Sequence, residues 1–308
     1  MPDEAFLAGV ASIPGVGPAT IRDELSERTP EEAWSRLRTR PGAPVDLDAL
    51  WERHLDAGVL VVGRGHPDYP ATLRNDPEPP AVLFCRGDLS ALDRRRVGVV
   101  GTRRGSRYGL DVARQLGERL GAAGVAVVSG LALGVDGAVH RGLLRSGGAP
   151  PVGVVGSGLD VVYPGGHRDL WRQVGEEGLL LSEMPLGIRP TRWSFPARNR
   201  IIAGLSEVVV VVESAQKGGS LYTADEALAR DLPLFAVPGP ITSKAAKGTN
   251  RLIADGAMPL CSVDDVLLAL GLSSPIASAQ TIPEPGGPAG RVLDACAHES
   301  VTLQTLVD

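Results

Sequence analysis

The chain has 308 residues, 43% hydrophobic and 22% charged, with a formal net charge of −5. That is enough apolar material for a full core, and the length suits one large domain with one or two small ones. No run approaches the roughly 18 apolar residues of a membrane helix, and the N-terminus MPDEAFLAGVASIPG is acidic where a signal peptide is basic, so a cytoplasmic protein without a membrane partner is expected. Cys85, Cys261 and Cys296 are odd in number and far apart, and His54, His66, His140, His167 and His298 show no ligand spacing. No disulfide framework and no metal are predicted.

Residues 1–63 predict a small helical domain of SAM-like or helix-hairpin-helix-like type. LAGVASI, IRDEL, EEAWSRLR and LDALWERHLDAG carry apolar residues at helical spacing, with PGVGPAT as the first turn. The segment Ile13-Pro14-Gly15-Val16-Gly17-Pro18-Ala19 resembles a helix-hairpin-helix, whose glycine turn presents N–H groups to a DNA backbone. The helix that follows, IRDELSER, carries more acid than such a contact favours, so the hairpin reads as a structural copy.

From Val59 the pattern changes to short β-branched runs, each followed by a Gly-rich turn and a helical stretch. The runs are 97–101, 125–130, 152–156, 179–183, 207–213 and 232–239. Near-continuous apolar strands alternating with helices imply a parallel sheet covered on both faces, a doubly wound α/β fold. This domain is expected over 64–272. Residues 273–289 are rich in Ser, Pro, Ala and Gly and read as a flexible linker. Residues 290–308 hold two short helical patterns, equally a frayed tail or the start of a truncated winged helix.

Ligands of a doubly wound sheet sit beyond the carboxyl ends of its strands, which directs attention to the residues after each run. Those are Gly101-Thr102-Arg103-Arg104-Gly105-Ser106, then Ser129-Gly130 leading to Asp136, then Ser214 to Ser220 with Lys217, Gly218 and Gly219, and finally Pro238 to Lys244 and Lys247 to Asn250. Glycines let a backbone approach an anion, the first turn of the next helix aims N–H groups at it, and Arg or Lys supplies the countercharge. Side by side, such loops make a phosphate-binding crevice. It does not suit a dinucleotide, because Gly101, Gly105 and Gly109 give GxxxGxxxG in place of GxGxxG, and no GxxxxGK[ST] occurs, so no cofactor is predicted. Asp136 and His140 share a helix face and suggest a general-base pair, but an acid at a helix start more often orders its own loop. No catalytic residue is assigned.

The segment TRWSFPARNRIIAGL brings Arg198, Asn199 and Arg200 to the first turn of a helix beside Trp193 and Phe195. Arginine grips phosphates with two N–H groups, and an aromatic face stacks any base, a combination suited to a single strand. Phe195 reads equally as a stacking face or as a core residue.

In order along residues 66–269, VVGTRRGSRYG, VVSGLALGVDGAVHRGLL, VGVVGSGLDVVYPGGHRDLW, LLSEMPLG, SFPARNRIIAGLSEVVVVVES, KGGSLYTADEALARDLPLFAVPGP and KGTNRLIADGA closely resemble the DNA-processing protein A (DprA/Smf) family. The resemblance implies a helical N-terminal domain, an extended Rossmann-like domain and, in many members, a C-terminal winged helix. It implies binding of single-stranded DNA, usually as a homodimer, and loading of RecA onto strands taken up in natural transformation. Carried over by position, the DNA pocket comprises Gly101, Thr102, Arg103, Ser129, Gly130, Arg198, Arg200, Lys217, Gly219 and Ser220, flanked by Lys244 and Asn250. The basic loops and the aromatic turn add Arg104, Gly218, Asn199 and Phe195.

A competing enzymatic reading starts from Rossmann-like nucleotide phosphoribohydrolases, whose PGGxGTxxE motif partly resembles Lys217-Gly218-Gly219-Ser220-Leu221-Tyr222-Thr223. No acid falls at the spacing of that motif's glutamate.

Overall fold

In the computed structural model, which describes residues 1–272, the apolar runs of the middle of the chain become neighbouring parallel strands. The linker expected over 273–289 and the winged-helix start expected over 290–308 lie outside the described residues. Four helices open the chain: α1 (Asp3–Ala11), α2 (Pro18–Glu27), α3 (Pro30–Leu37) and α4 (Leu47–Asp56). Thr29 and Glu32 form a reciprocal cap that starts α3, and Asp46 caps α4. Then come β1 (Leu60–Gly63), α5 (Ala71–Arg74), β2 (Val82–Gly87), β3 (Arg96–Val100), α6 (Arg107–Ala122), β4 (Ala126–Ser129), α7 (Val135–Ser146) and β5 (Pro151–Val155). The described chain finishes with α8 (Arg168–Glu177), β6 (Leu179–Ser182), α9 (Ser194–Leu205), β7 (Val208–Val211), α10 (Ser220–Leu228), β8 (Leu234–Ala236), α11 (Lys247–Ala254), β9 (Met258–Pro259) and α12 (Val263–Ala269).

The nine strands form one sheet in the order β1-β2-β6-β5-β4-β3-β7-β8-β9. β3 through β9 run parallel, with Val97 opposite Val127 on one side and Val208 on the other, whereas β2 pairs antiparallel with β6 and β1 with β2. The expected fold, an extended Rossmann-like, mostly parallel α/β sheet, is therefore the one observed. β1 and β2 are an antiparallel extension that apolar runs do not announce. They pair across α5, some twenty residues apart, and the last four residues of the expected helical domain belong to this sheet.

Both faces are covered. Ile201, Ile202 and Leu205 of α9 and Ala224 and Ala227 of α10 share a buried cluster with Val100, Val128 and Val211. On the other face, Leu7, Trp34 and Leu37 of the N-terminal helices join Val61, Phe84, Trp171 and Leu180 in a single core. Helices α6 and α7 meet backbone to backbone. A Cβ at Gly117 would lie 2.1 Å from the Val139 carbonyl oxygen, and one at Gly142 2.1 Å from that of Arg114, so both positions need glycine.

This order has a functional consequence. From β3 the chain builds outward through β4, β5 and β6, then crosses back to lay β7 on the opposite side of β3. The loops leaving β3 and β7 diverge there, and a crevice opens at the carboxyl ends of these two strands.

Candidate nucleic-acid interface

A cleft of about 300 Å³ occupies that switch point, lined by Gly101–Arg103 after β3, Ala132 and Asp136 after β4, Phe195, Arg198 and Asn199 of α9, and Gly218–Ser220 before α10. Each wall is fixed by bonds to its neighbour. Glu213, buried just beyond β7, accepts the Ser106 N–H at 2.8 Å and the Ser106 hydroxyl at 2.5 Å, while its own carbonyl accepts the Thr102 N–H at 2.8 Å. Ser106 in turn caps α6 through the Gly109 N–H. The GTRRGS turn is thereby tied to the end of β7, leaving the Arg103 and Arg104 side chains exposed.

The turn after β4 is ordered from within. One Asp136 oxygen accepts the Gly130 and Ala132 N–H groups at 3.2 and 3.4 Å, which is the loop-ordering role of an acid at a helix start. Gly134, at φ +81°, sits under the Thr102 carbonyl, which accepts the Val135 N–H. On the far wall, Ser220 donates to the Ser214 hydroxyl at 3.0 Å, and Asn199 donates to the Gly219 carbonyl at 3.3 Å, joining the second turn of α9 to the residue that caps α10. Thr223, on the first turn of α10 and lining the cleft, has a buried hydroxyl without a partner among the described residues.

Arg198 lies at the floor, only 6% exposed. Its guanidinium rests against the α-carbon of Gly130, where an added Cβ would fall 1.3 Å from Nη1. It makes no hydrogen bond or ion pair within 4 Å among the described residues, and its Nε is buried without an acceptor. Burial lowers its pKa to about 10, with Asp136 pulling the other way and Arg103 adding to the depression. Burial likewise raises Asp136 above the usual carboxylate range, and Arg198 opposes that rise. A desolvated guanidinium with uncommitted donors is electrostatically unfinished, and an anion entering the cleft completes it.

Above it, the Arg103 guanidinium stacks 4.6 Å from the centre of the Phe195 ring, and Phe195 lies 5.6 Å from Tyr163, tilted 38°. The half-buried Phe195 thus forms part of the cleft wall, and Tyr163 is an aromatic neighbour that sequence reasoning missed. Lys217 is exposed on the β7–α10 turn, and Lys247, at the start of α11, is brought close by the Gly248 N–H bond to the Ser214 carbonyl at 2.7 Å.

Several expected residues are placed elsewhere. Arg200 is not in the cleft: it is buried, donating to both oxygens of Glu183 at 2.6 Å and to the Glu78 carbonyl at 2.6 Å. Residues two apart on a helix point about 200° apart, so Arg198 and Arg200 cannot face one ligand. Ser129 is fully buried, its hydroxyl donating to the Val99 carbonyl at 2.6 Å between adjacent strands. Asn250 spends its amide on the Gly239 backbone, accepting at 3.1 Å and donating at 2.9 Å. Lys244 is exposed on that braced loop and does not line the cleft. Among the described residues no cluster of three metal-ligating side chains occurs, and no helix is long and apolar enough to cross a membrane.

Comparison with known proteins places this geometry among relatives. Residues 60–271 match the sequence model of the family described as DNA recombination-mediator protein A. The DNA processing protein DprA of Bacillus subtilis is 39% identical over 221 residues, which cover 71% of this chain and 74% of that protein. The crystal structure of DNA processing protein A from Streptococcus pneumoniae superposes with a TM-score of 0.72 at 29% identity, covering 87% of this chain and 98% of that one. The Helicobacter pylori DNA processing protein A, whose structure describes a single-stranded DNA binding mode, gives 0.60 at 30% identity over 69% of this chain and 95% of that one.

Proposed function

The chain belongs to the DNA recombination-mediator protein A family, and from that premise we propose that it binds single-stranded DNA in the cleft between β3 and β7 and acts as a mediator of recombination. The observation that carries this reading is Arg198, a buried guanidinium without a hydrogen-bond acceptor at the floor of an open cleft. A phosphate held there meets Arg198 from below, Arg103 from the rim and the first turn of α10 from the far wall. Phe195, already carrying Arg103 on its face, offers a surface on which a base stacks without regard to its identity. The protein is a binder and not an enzyme in this reading. Among the described residues, the one carboxylate lining the cleft, Asp136, is held by backbone N–H groups, and Glu213 is engaged by Ser106.

Further parts of the proposal rest on the family: a homodimer, a helical domain of residues 1–63 beside the DNA-binding domain of residues 64–272, loading of RecA onto the bound strand, and a cytoplasmic site of action. The test is binding to labelled single-stranded and double-stranded oligonucleotides across a salt series, with Arg103→Ala and Lys217→Ala alongside. Preference for the single strand, weakening with salt and with a shallower slope in both variants, supports the proposal. Parent and variants that bind alike remove the cleft assignment.

A further inference from the structure

A second groove, of about 380 Å³, runs along α8 between that helix, the end of β2 and the loop that follows β5. Arg86, Arg168 and Arg172 line it, together with Asp160, Glu176 and Trp171. Its acids are already engaged. Asp160 accepts the Gly187 N–H at 2.8 Å, and Glu176 pairs with Arg172 at 2.6 Å. Two arginines are left over: the side chains of Arg86, half-buried, and Arg168, exposed, make no hydrogen bond or ion pair among the described residues. Burial depresses the pKa of Arg86, and Asp160 offsets this only in part. Trp171, 2% exposed, keeps its indole N–H without an acceptor in the same wall. With three arginines against two acids, one of those arginines partly desolvated, the groove is net positive and complementary to an anion.

The position of the groove identifies that anion. Val162 lines it, while the next residue, Tyr163, lines the small pocket that holds Phe195, Arg103 and Arg198; Leu159 and Ser157 divide in the same way. The loop 157–163 is therefore a shared wall between this groove and the aromatic end of the cleft. We propose that a single DNA strand leaving the cleft past Phe195 and Tyr163 crosses this loop and lays its phosphates against Arg168 and Arg86. The proposal rests on the single-strand reading above and lengthens the binding track to a second face of the same chain.

A length series of oligothymidylates from about 4 to about 16 nucleotides, measured by anisotropy on the full chain, tests it. The unmodified protein gains affinity with length. Arg86→Ala combined with Arg168→Ala binds the shortest strand as the parent does but loses about tenfold on the longest. Its salt slope there is shallower by about 1.4, two phosphates at about 0.7 each. Arg168→Glu, confined to the surface, gives the same direction of change while leaving the core intact. A parent whose affinity does not rise with length, or variants that keep the full gain, overturns the second track. Arg103→Ala separates the two readings: it weakens every length if the cleft binds DNA, and if it weakens none, the cleft assignment fails instead.

Discussion

The guanidinium of Arg198 occupies the space that a side chain at residue 130 would fill, so that the absence of one at Gly130 is what lets a positive charge lie flat on the floor of the cleft. The three atoms nearest an added Cβ all belong to the Arg198 guanidinium, so Gly130→Ala pushes first on the end of a side chain. The variant is expected to fold, and to lose at least about tenfold in single-strand affinity, near 1.4 kcal/mol. A thermal melt beside a binding isotherm checks both halves; unchanged affinity would show that Arg198 does not meet the strand.

Arg198 and Arg200 make opposite predictions from one helix. Arg200→Ala strands the buried Glu183 carboxylate and should cost about 3–5 kcal/mol of stability, while the folded fraction binds DNA as before. Arg198→Ala removes a guanidinium that makes no hydrogen bond but shares a field with buried Asp136, so its stability cost should be smaller than that of Arg200→Ala while affinity falls. Denaturant titration and binding of the two variants side by side decide the matter, and a reversed pattern contradicts the orientation of α9.

Phe195→Ala is expected to lose about 1–3 kcal/mol of affinity for a strand with bases, and little for an abasic strand of the same length. An equal loss on both strands would mean that the ring acts only by positioning Arg103.

Burial drives the His140 pKa down to about 3, with the Ser129 backbone opposing, and it lowers His54 and His167 as well. A histidine whose folded pKa lies below its unfolded value near 6.5 contributes stability that is complete above that value and is lost as the pH falls toward 3. From pH 7 to pH 5 His140 alone should remove about 1–2 kcal/mol. His140→Leu should flatten this part of the stability profile. Chemical denaturation of both proteins at several pH values measures it, and parallel profiles would rule the assignment out.

The parallel strands were legible because each is buried on both faces, and such strands are written as unbroken apolar runs, VGVV at 97–100 and VVVV at 208–211. Their adjacency placed the cleft through Gly101, Arg103 and Gly218. The sequence was less informative where a side chain's partner is remote. Ser129 bonds across to Val99, Arg200 reaches Glu78 and Glu183, and Asn250 folds back on Gly239, so residues that look like ligand contacts in a linear motif are spent on the fold. Arg198 and Arg200 stand in one short motif, and only the turn of the helix separates their roles. Tyr163 escaped notice because its neighbour Phe195 is thirty-two positions later and reaches it only through the packing of α9 on β5.

The Gly218–Ser220 turn, held by the Ser220 bond to Ser214, forms the last wall of a site that begins at Gly101. A chain emerging from the ribosome therefore carries Arg103 long before it carries α10, and Arg103 has no cleft to serve until that segment arrives. Contacts so distant in sequence form late, so an unfinished or clipped polypeptide lacks the finished cleft. On the proposed reading, the cleft can take a strand only once synthesis has passed the far side of the sheet.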